Sequence, residues 1–282
     1  MSQLGFFDRV PDEEYVRRAF QSAMGRPLDL EHTVTYTEKL QWLKINDHNP
    51  VYTQMADKVG AKDFAARRIG SEYIIPTLGV WERAEDVDFW SLPEQFVLKC
   101  SHNSGLGMVI CEDRSKLDEN RARRLLAKGL RQNYYLTNRE WPYRDVKPRI
   151  LAEPFLRDEQ DGELRDYKFF TFGGEPKVVY ITQGRAGGET TADFYDMEFR
   201  HLDLKIDHEM APVPPHRPEH FETMQKLAAL LAEGTPQLRV DFYEVNGQVY
   251  FGEMTFFHCA GLAPFYPASW DRVFGDWVQL PE

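Results

Sequence analysis

The chain has 282 residues, 42% of them hydrophobic and 28% charged, with a formal net charge of -11. That balance describes a globular chain with room for a real core in one two-lobed or two small domains. The negative charge disfavours nucleic acid, whose phosphates select basic faces. No window approaches the ~18 apolar residues of a membrane span, so neither a nucleic-acid partner nor a membrane span is expected. No basic stretch followed by an apolar run opens the chain, and a cytoplasmic location is the expectation. Cys100, Cys111 and Cys259 form neither a metal-binding spacing nor an even-numbered framework, and read as reduced thiols. An acidic protein still binds a nucleotide where Lys and Arg side chains, backbone N–H groups and a divalent cation converge.

Residues 11–68 read as mostly helical, with Tyr15, Ala19 and Phe20 on one apolar face and Leu40, Trp42, Leu43 and Ile45 on another. From Gln95 onward short apolar runs bounded by turn residues predict strands over 96–100, 108–111, 150–153, 167–172, 177–182, 238–243 and 248–253. Helical periodicity interrupts them over 118–133 and 220–233. Closely spaced strands with interspersed helices imply an α+β fold with antiparallel sheets, not a regularly alternating Rossmann sheet. Trp42, Trp90 and Trp141 read as core residues.

Three segments carry chemistry. In the first, a strand ends in Lys99, a small polar loop follows with Ser101, His102, Ser104, Gly105 and Gly107, and a second strand begins at Met108. Glycines let such a backbone approach phosphate closely and a lysine at the strand end neutralises it, although a plain hairpin has the same outline. In the second, Ile150 to Leu156, a strand is broken by Pro154. Its carbonyl and the Leu156 N–H offer the acceptor and donor that adenine needs. The third is a hairpin, Arg239 to Thr255, with Asn246-Gly247 at its turn. A two-residue turn with a regular ladder would set Asp241 opposite Gly252 and send Glu253 to the other face. A three-residue loop, Val245 to Gly247 with Gly247 as bulge, would instead pair Glu244 with Gln248, Asp241 with Phe251 and Arg239 with Glu253. Arg239, Asp241, Glu253 and Thr255 would then share a face suited to Mg2+ and phosphate. The bulged turn is therefore the expectation. The alternative for Arg239 and Glu253 is a plain cross-strand ion pair.

In this order, a lysine with a glycine-rich loop, a hinge strand with an acid, and an Arg-x-Asp strand paired with a strand ending in Glu resemble the ATP-grasp superfamily. Over roughly residues 30–280 the chain is similar to its TupA-like family, named for teichuronopeptide biosynthesis and found among bacterial surface-polysaccharide genes. The segments Tyr36 to Lys44, Ala56-Asp57-Lys58, Ile74 to Val80, Gln95 to Gly107, Lys147 to Glu153, Asp166 to Phe170, Phe194-Tyr195-Asp196 and Arg239 to Phe257 carry the likeness.

The resemblance implies a two-lobed ATP-grasp fold: a mainly helical region over 1–90, a small lobe over 91–157 and a large lobe over 158–282. It implies ATP and Mg2+, with Lys58 and Lys99 on phosphate, residues 101–107 as a flexible loop over it, and Glu153 and Leu156 at adenine. Asp166 would lie at the ribose, Lys168 near the phosphates, Asp241, Glu253 and Thr255 around the metal, and Arg239 on the transferring phosphoryl group. Thr255 departs from the superfamily, where Asn often stands. Arg185 would clamp the γ-phosphate or an acceptor carboxylate. His102 and His258 flank the site as structural residues or as substrate contacts. The implied activity is a carboxylate–amine ligase working through an acyl phosphate. It would join an amino acid or amine to a uronic acid or amino acid unit of a surface glycan. The alternatives are a phosphotransferase on the same ATP site and a nucleotide-binding module without turnover.

Overall fold

The computed structural model describes residues 8–159, 164–184, 188 and 190–281. Four helices come first: α1 (Asp12–Met24), α2 (Tyr36–Asn46), α3 (Val51–Ala56) and α4 (Gly60–Ile69). Next come β1 (Gly79–Trp81), β2 (Phe96–Cys100), β3 (Val109–Cys111), α5 (Glu119–Leu130), α6 (Tyr135–Asn138) and β4 (Ile150–Pro154). The rest comprises β5 (Asp166–Phe172), β6 (Glu175–Gln183), β7 (Thr191–Asp196), β8 (His201–Leu202), α7 (Phe221–Ala232), β9 (Gln237–Val245), β10 (Gln248–Thr255) and α8 (Ser269–Trp277). Two antiparallel sheets result, a small one in the order β1-β4-β2-β3 and a large one in the order β10-β9-β5-β6-β7-β8. The elements β1, β7, β8 and α8 have no counterpart in the sequence expectations.

Each sheet has its own core. Phe96, Leu98, Ile150 and Ala152 of the small sheet pack on Ala122 and Leu126 of α5, together with Ala84, Val87 and Phe89. The start of α5 is fixed by Asp118, whose carboxylate accepts from the Arg121 N–H at 2.9 Å. The large sheet lays Phe169, Val240 and Phe242 against Phe221, Met224 and Leu231 of α7, and the same core takes in Leu40, Met55 and Phe64 of the N-terminal helices. Phe274 of α8 meets the rings of Tyr36, Phe170, Phe172 and Phe265 edge-on at centroid distances of 5.2–5.6 Å. A fully buried Phe of this kind contributes about 1.5–3 kcal/mol.

The helices α2 and α8 are tied together by polar bonds. Thr37 donates to Asp271 through its N–H at 2.9 Å and its hydroxyl at 2.7 Å, and Lys39 caps α8 at the carbonyls of Gly275 and Val278. Trp90 departs from its reading as core. It is 69% exposed, with the Arg114 guanidinium 5.2 Å from its ring.

The hairpin corrects one expectation and keeps its consequence. Val245 pairs with Gln248, and both Asn246 (φ 51°) and Gly247 (φ 75°) are left-handed, which makes the two-residue turn that favours Asn-Gly. The bulge lies further along. Phe242 pairs with Phe251 and then Asp241 with Glu253, so Gly252 is the extra residue. A side chain there would meet the Tyr243 ring at 3.0 Å and the Asp241 carbonyl at 3.1 Å. The glycine thus answers to crowding, at a position without left-handed backbone. Beyond it Thr255 pairs with Arg239, and Arg239, Asp241, Glu253 and Thr255 do share one face.

Candidate active site

That face continues across the large sheet, because Lys168 on β5 pairs in register with Asp241, and Asp166 lies two residues away on the same side. Arg239 grips Asp241 with two parallel bonds, Nε to Oδ1 and Nη2 to Oδ2, each 2.7 Å. Its Nη2 also reaches Glu253 Oε1 at 3.3 Å, and its Nη1 lies 2.8 Å from His258 Nδ1. Lys168 Nζ bridges Asp241 Oδ2 at 3.0 Å and Asp166 Oδ1 at 3.2 Å, while Thr182 donates to Asp166 Oδ2 at 3.1 Å. Burial opposes the Arg239 charge, but Asp241 and Glu253 outweigh it and hold the guanidinium firmly protonated. Burial also raises Asp241, yet Arg239 and Lys168 bring its carboxyl below the ordinary aspartate value.

The two carboxylates differ in what they leave free. Asp241 is 1% exposed and both its oxygens are engaged. The Glu253 side chain is 42% exposed, and its Oε2 lies 4.0 Å from Lys58 Nζ. The open Glu253 carboxylate and the Thr255 hydroxyl, backed on the same face by Asp241, form an all-oxygen donor set that fits a hard cation such as Mg2+.

Lys58 links this hairpin to the glycine-rich loop, since its Nζ donates to the Asn103 carbonyl at 2.6 Å. Within the loop Ser101, His102 and Asn103 are buried. Ser101 donates to the Lys147 carbonyl at 3.3 Å, His102 Nε2 lies 3.0 Å from the Gln132 carbonyl, and Asn103 donates to the Gly129 carbonyl at 3.2 Å. They anchor the loop. Ser104 and Gly105 form its exposed tip. Gly107 is left-handed (φ 78°), and a Cβ there would lie 2.8 Å from Cys100 Sγ and 3.0 Å from Gly129 Cα. Gly107→Ala should therefore destabilise the protein by well over ~1 kcal/mol, since strain adds to the clash. Gly105→Ala (φ 77°, with open space around it) should carry the strain alone. Chemical denaturation midpoints in the reverse order would refute this account.

In the small sheet the Glu153 carboxylate lies between two lysines, Lys62 at 2.6 Å and Lys99 at 2.5 Å. Burial raises Glu153, but Lys99 and Lys62 pull it below the usual carboxylate range. Sequence reasoning passed over Lys62. Its signal is a lysine on the otherwise apolar buried face of α4, among Ala61, Phe64 and Ala65. Pro154 closes β4 and Leu156 follows it, both half-buried. Arg185 lies outside the described residues.

A cavity of about 400 Å³ adjoins the face, between Arg239, Glu253 and Thr255 and the segment carrying Tyr134, Asn138, Glu140 and Tyr143; Ser104 also lines it. Tyr134, Asn138, Glu140 and Tyr143 also escaped sequence reasoning. Among the described residues, Asp207, His258 and Cys259 bring one ligand atom each within 4.8 Å of one another. Arg239 has only protons to offer His258 Nδ1, so the ring proton sits on Nε2, 3.6 Å from Cys259 Sγ. The nitrogen that a metal at Cys259 would need is thereby occupied. Burial and then Arg239 push His258 far below its ordinary value, which makes it a neutral structural support for Arg239.

A small and a large antiparallel sheet, joined at a lysine-bearing glycine loop and an Arg-x-Asp hairpin, define an ATP-grasp fold of the α+β class. The family model TupA-like ATPgrasp matches residues 38–279, so the chain belongs to that family. Similar solved structures include a D-alanine–D-alanine ligase from Bacillus anthracis, at 18% identity over 72% of this chain and 57% of that one, TM-score 0.42. The corresponding ligase from Helicobacter pylori shows 18% identity over 80% and 61%, TM-score 0.44. D-cycloserine synthetase DcsG shows 15% identity over 88% of both chains, TM-score 0.43. The chain thus spans less than two thirds of either D-alanine–D-alanine ligase. These likenesses are too distant to carry chemistry. No curated protein matches the chain. No helix among the described residues is long and apolar enough to cross a membrane.

Proposed function

We propose that the chain is an ATP-dependent carboxylate–amine ligase. The observation that supports this best is the convergence of Arg239, Asp241, Glu253, Thr255 and Lys58 on one wall beside a cavity able to take a small substrate. When bound, ATP and Mg2+ supply the electrophilic phosphoryl group. Glu253 and Thr255 would hold the cation, with the Asp241 carboxylate behind them fixing Arg239 and Lys168 and reaching the metal only by giving up one of those bonds. Lys58, Lys99 and Arg239 would neutralise the charge that develops as a substrate carboxylate takes up phosphate. The Ser104–Gly105 tip closes over the phosphates, with Gly107 letting the backbone approach and Ser101 and His102 anchoring it. The Pro154 carbonyl and Leu156 N–H take adenine.

Two assignments shift on the contacts. Glu153 positions Lys99, and Asp166 positions Lys168, because their oxygens are already engaged there. Arg185 keeps its proposed place on phosphate or substrate carboxylate. The division into 1–90, 91–157 and 158–282 also stands as a proposal, with β1 and Ala84 to Phe89 packing into the second part. A uronic acid or amino acid unit of a surface glycan and an amino acid or amine are the proposed substrates, and the cytoplasm the proposed location.

The test is ADP release from ATP and Mg2+ across pairs of uronic acids and amino acids, with product mass. A ligase releases ADP fully only with both partners and yields an amide. ADP release with one partner and a phosphorylated product would make it a kinase instead.

A further inference from the structure

The cavity holds one charged group that the ATP and metal assignments leave unused. Glu140 lines it and is only 4% exposed. A buried carboxylate is costly unless its charge is met. The groups facing Glu140 meet it in part: Lys44, the Asn138 side chain and Arg239 favour its charge, and Tyr134, Tyr143 and Cys259 stand around it. Lys44 spends its ammonium on Gln41 Oε1 at 2.9 Å and the Ala260 carbonyl at 2.7 Å. Burial consequently pushes Glu140 well above the ordinary glutamate value. Among the described residues the Asn138 side chain hydrogen-bonds this carboxylate and no cation pairs with it directly, and Glu140 lines the cavity.

We infer that this cavity is the acceptor subsite and that Glu140 anchors the ammonium group of a small primary amine, an amino acid by class, beside Arg239, Glu253 and Thr255. The inference rests on the proposed ligase reading and adds the acceptor's chemistry to it. An ammonium group supplies a positive charge in direct contact with Glu140, together with further N–H donors beside that of Asn138. Tyr134 and Tyr143, packed edge to face with centroids 4.7 Å apart, and Phe257 line the same cavity as Glu140. A neutral sugar hydroxyl would bring no charge to draw the buried Glu140 into its ionised form. The same wall carries the proposed metal carboxylate, so an amine held here lies next to the site of carboxylate activation.

Calorimetric titration of the intact protein, loaded with Mg2+ and a non-hydrolysable ATP analogue, tests this. The probes are the twenty standard amino acids, each beside its N-acetyl derivative. At least one amino acid should bind, its N-acetyl form should bind at least about tenfold more weakly, and Glu140→Gln should weaken the amino acid by a similar factor. Affinity for the ATP analogue should stay within about twofold in Glu140→Gln, reporting an intact fold. Equal binding of the N-acetyl form, unchanged binding by Glu140→Gln, or no amino acid bound by the analogue-loaded wild type would each overturn the inference. Failure of the wild type to bind the ATP analogue would instead overturn the ligase reading beneath it. The N-acetyl comparison uses wild-type protein, so it stands even if Glu140→Gln misfolds.

Discussion

Glu253→Gln is expected to lower the rate of ADP formation by about 10²–10³ while changing stability by less than about 1 kcal/mol. The two numbers come from different properties of one side chain. Glu253 is 42% exposed at its side chain, and its ion-pair contacts, 3.3 Å to Arg239 and 4.0 Å to Lys58, are loose. Exposed pairs of that kind contribute little to folding. As the carboxylate on this face with room for a cation, however, it would carry several kcal/mol of charge stabilisation in the transition state. The amide keeps the shape and loses the charge, so the Mg2+ concentration for half-maximal rate should also rise at least about tenfold. Wild-type turnover with an unchanged Mg2+ requirement would remove Glu253 from the metal site.

The hairpin shows how far such reasoning reaches from sequence. The two strands, the place of the hairpin at Asn246-Gly247 and the four residues of the polar face were legible, because period-two alternation and a turn dipeptide are local properties. The length of the turn, two residues and not three, and the position of the bulge were not. A glycine at 247 and one at 252 are equally good candidates on paper, and the decision fell to a contact across the ribbon, Tyr243 against the Gly252 backbone. The pairing of Lys62 with Glu153 and the approach of Gly107 to Gly129 likewise arise only once separate segments meet. Glu140 was invisible for the same reason, since its surroundings come from the N-terminal helices, the turn after β10 and its own segment. Short elements such as β1 and β8 carry too few residues for any periodicity. Family resemblance pointed to Glu153 and Asp166 by position, and only their oxygens' partners reveal that each holds a lysine in place.

Asp241→Asn should produce the opposite signature to Glu253→Gln, a loss of about 3–5 kcal/mol in folding stability together with loss of activity. Asp241 is 1% exposed and is the common partner of two cations, Arg239 through two 2.7 Å bonds and Lys168 at 3.0 Å. An asparagine keeps one acceptor oxygen, turns the other position into a donor facing a cation, and leaves the two positive charges with no full counter-charge in the sheet. Arg239 would then lean on Glu253, which would draw that carboxylate from the metal position and extend the damage to catalysis. The pH dependence follows from the depressed Asp241 value. Its contribution is fully present above the ordinary aspartate range and is lost as pH falls through the lower folded value. Wild-type stability should thus fall more steeply in acid than that of Asp241→Asn, and the two should converge as Asp241 becomes protonated. Urea denaturation midpoints from neutral pH down to the acid limit measure this directly. A constant gap between the proteins across that range would mean that Asp241 is held by something other than its charge.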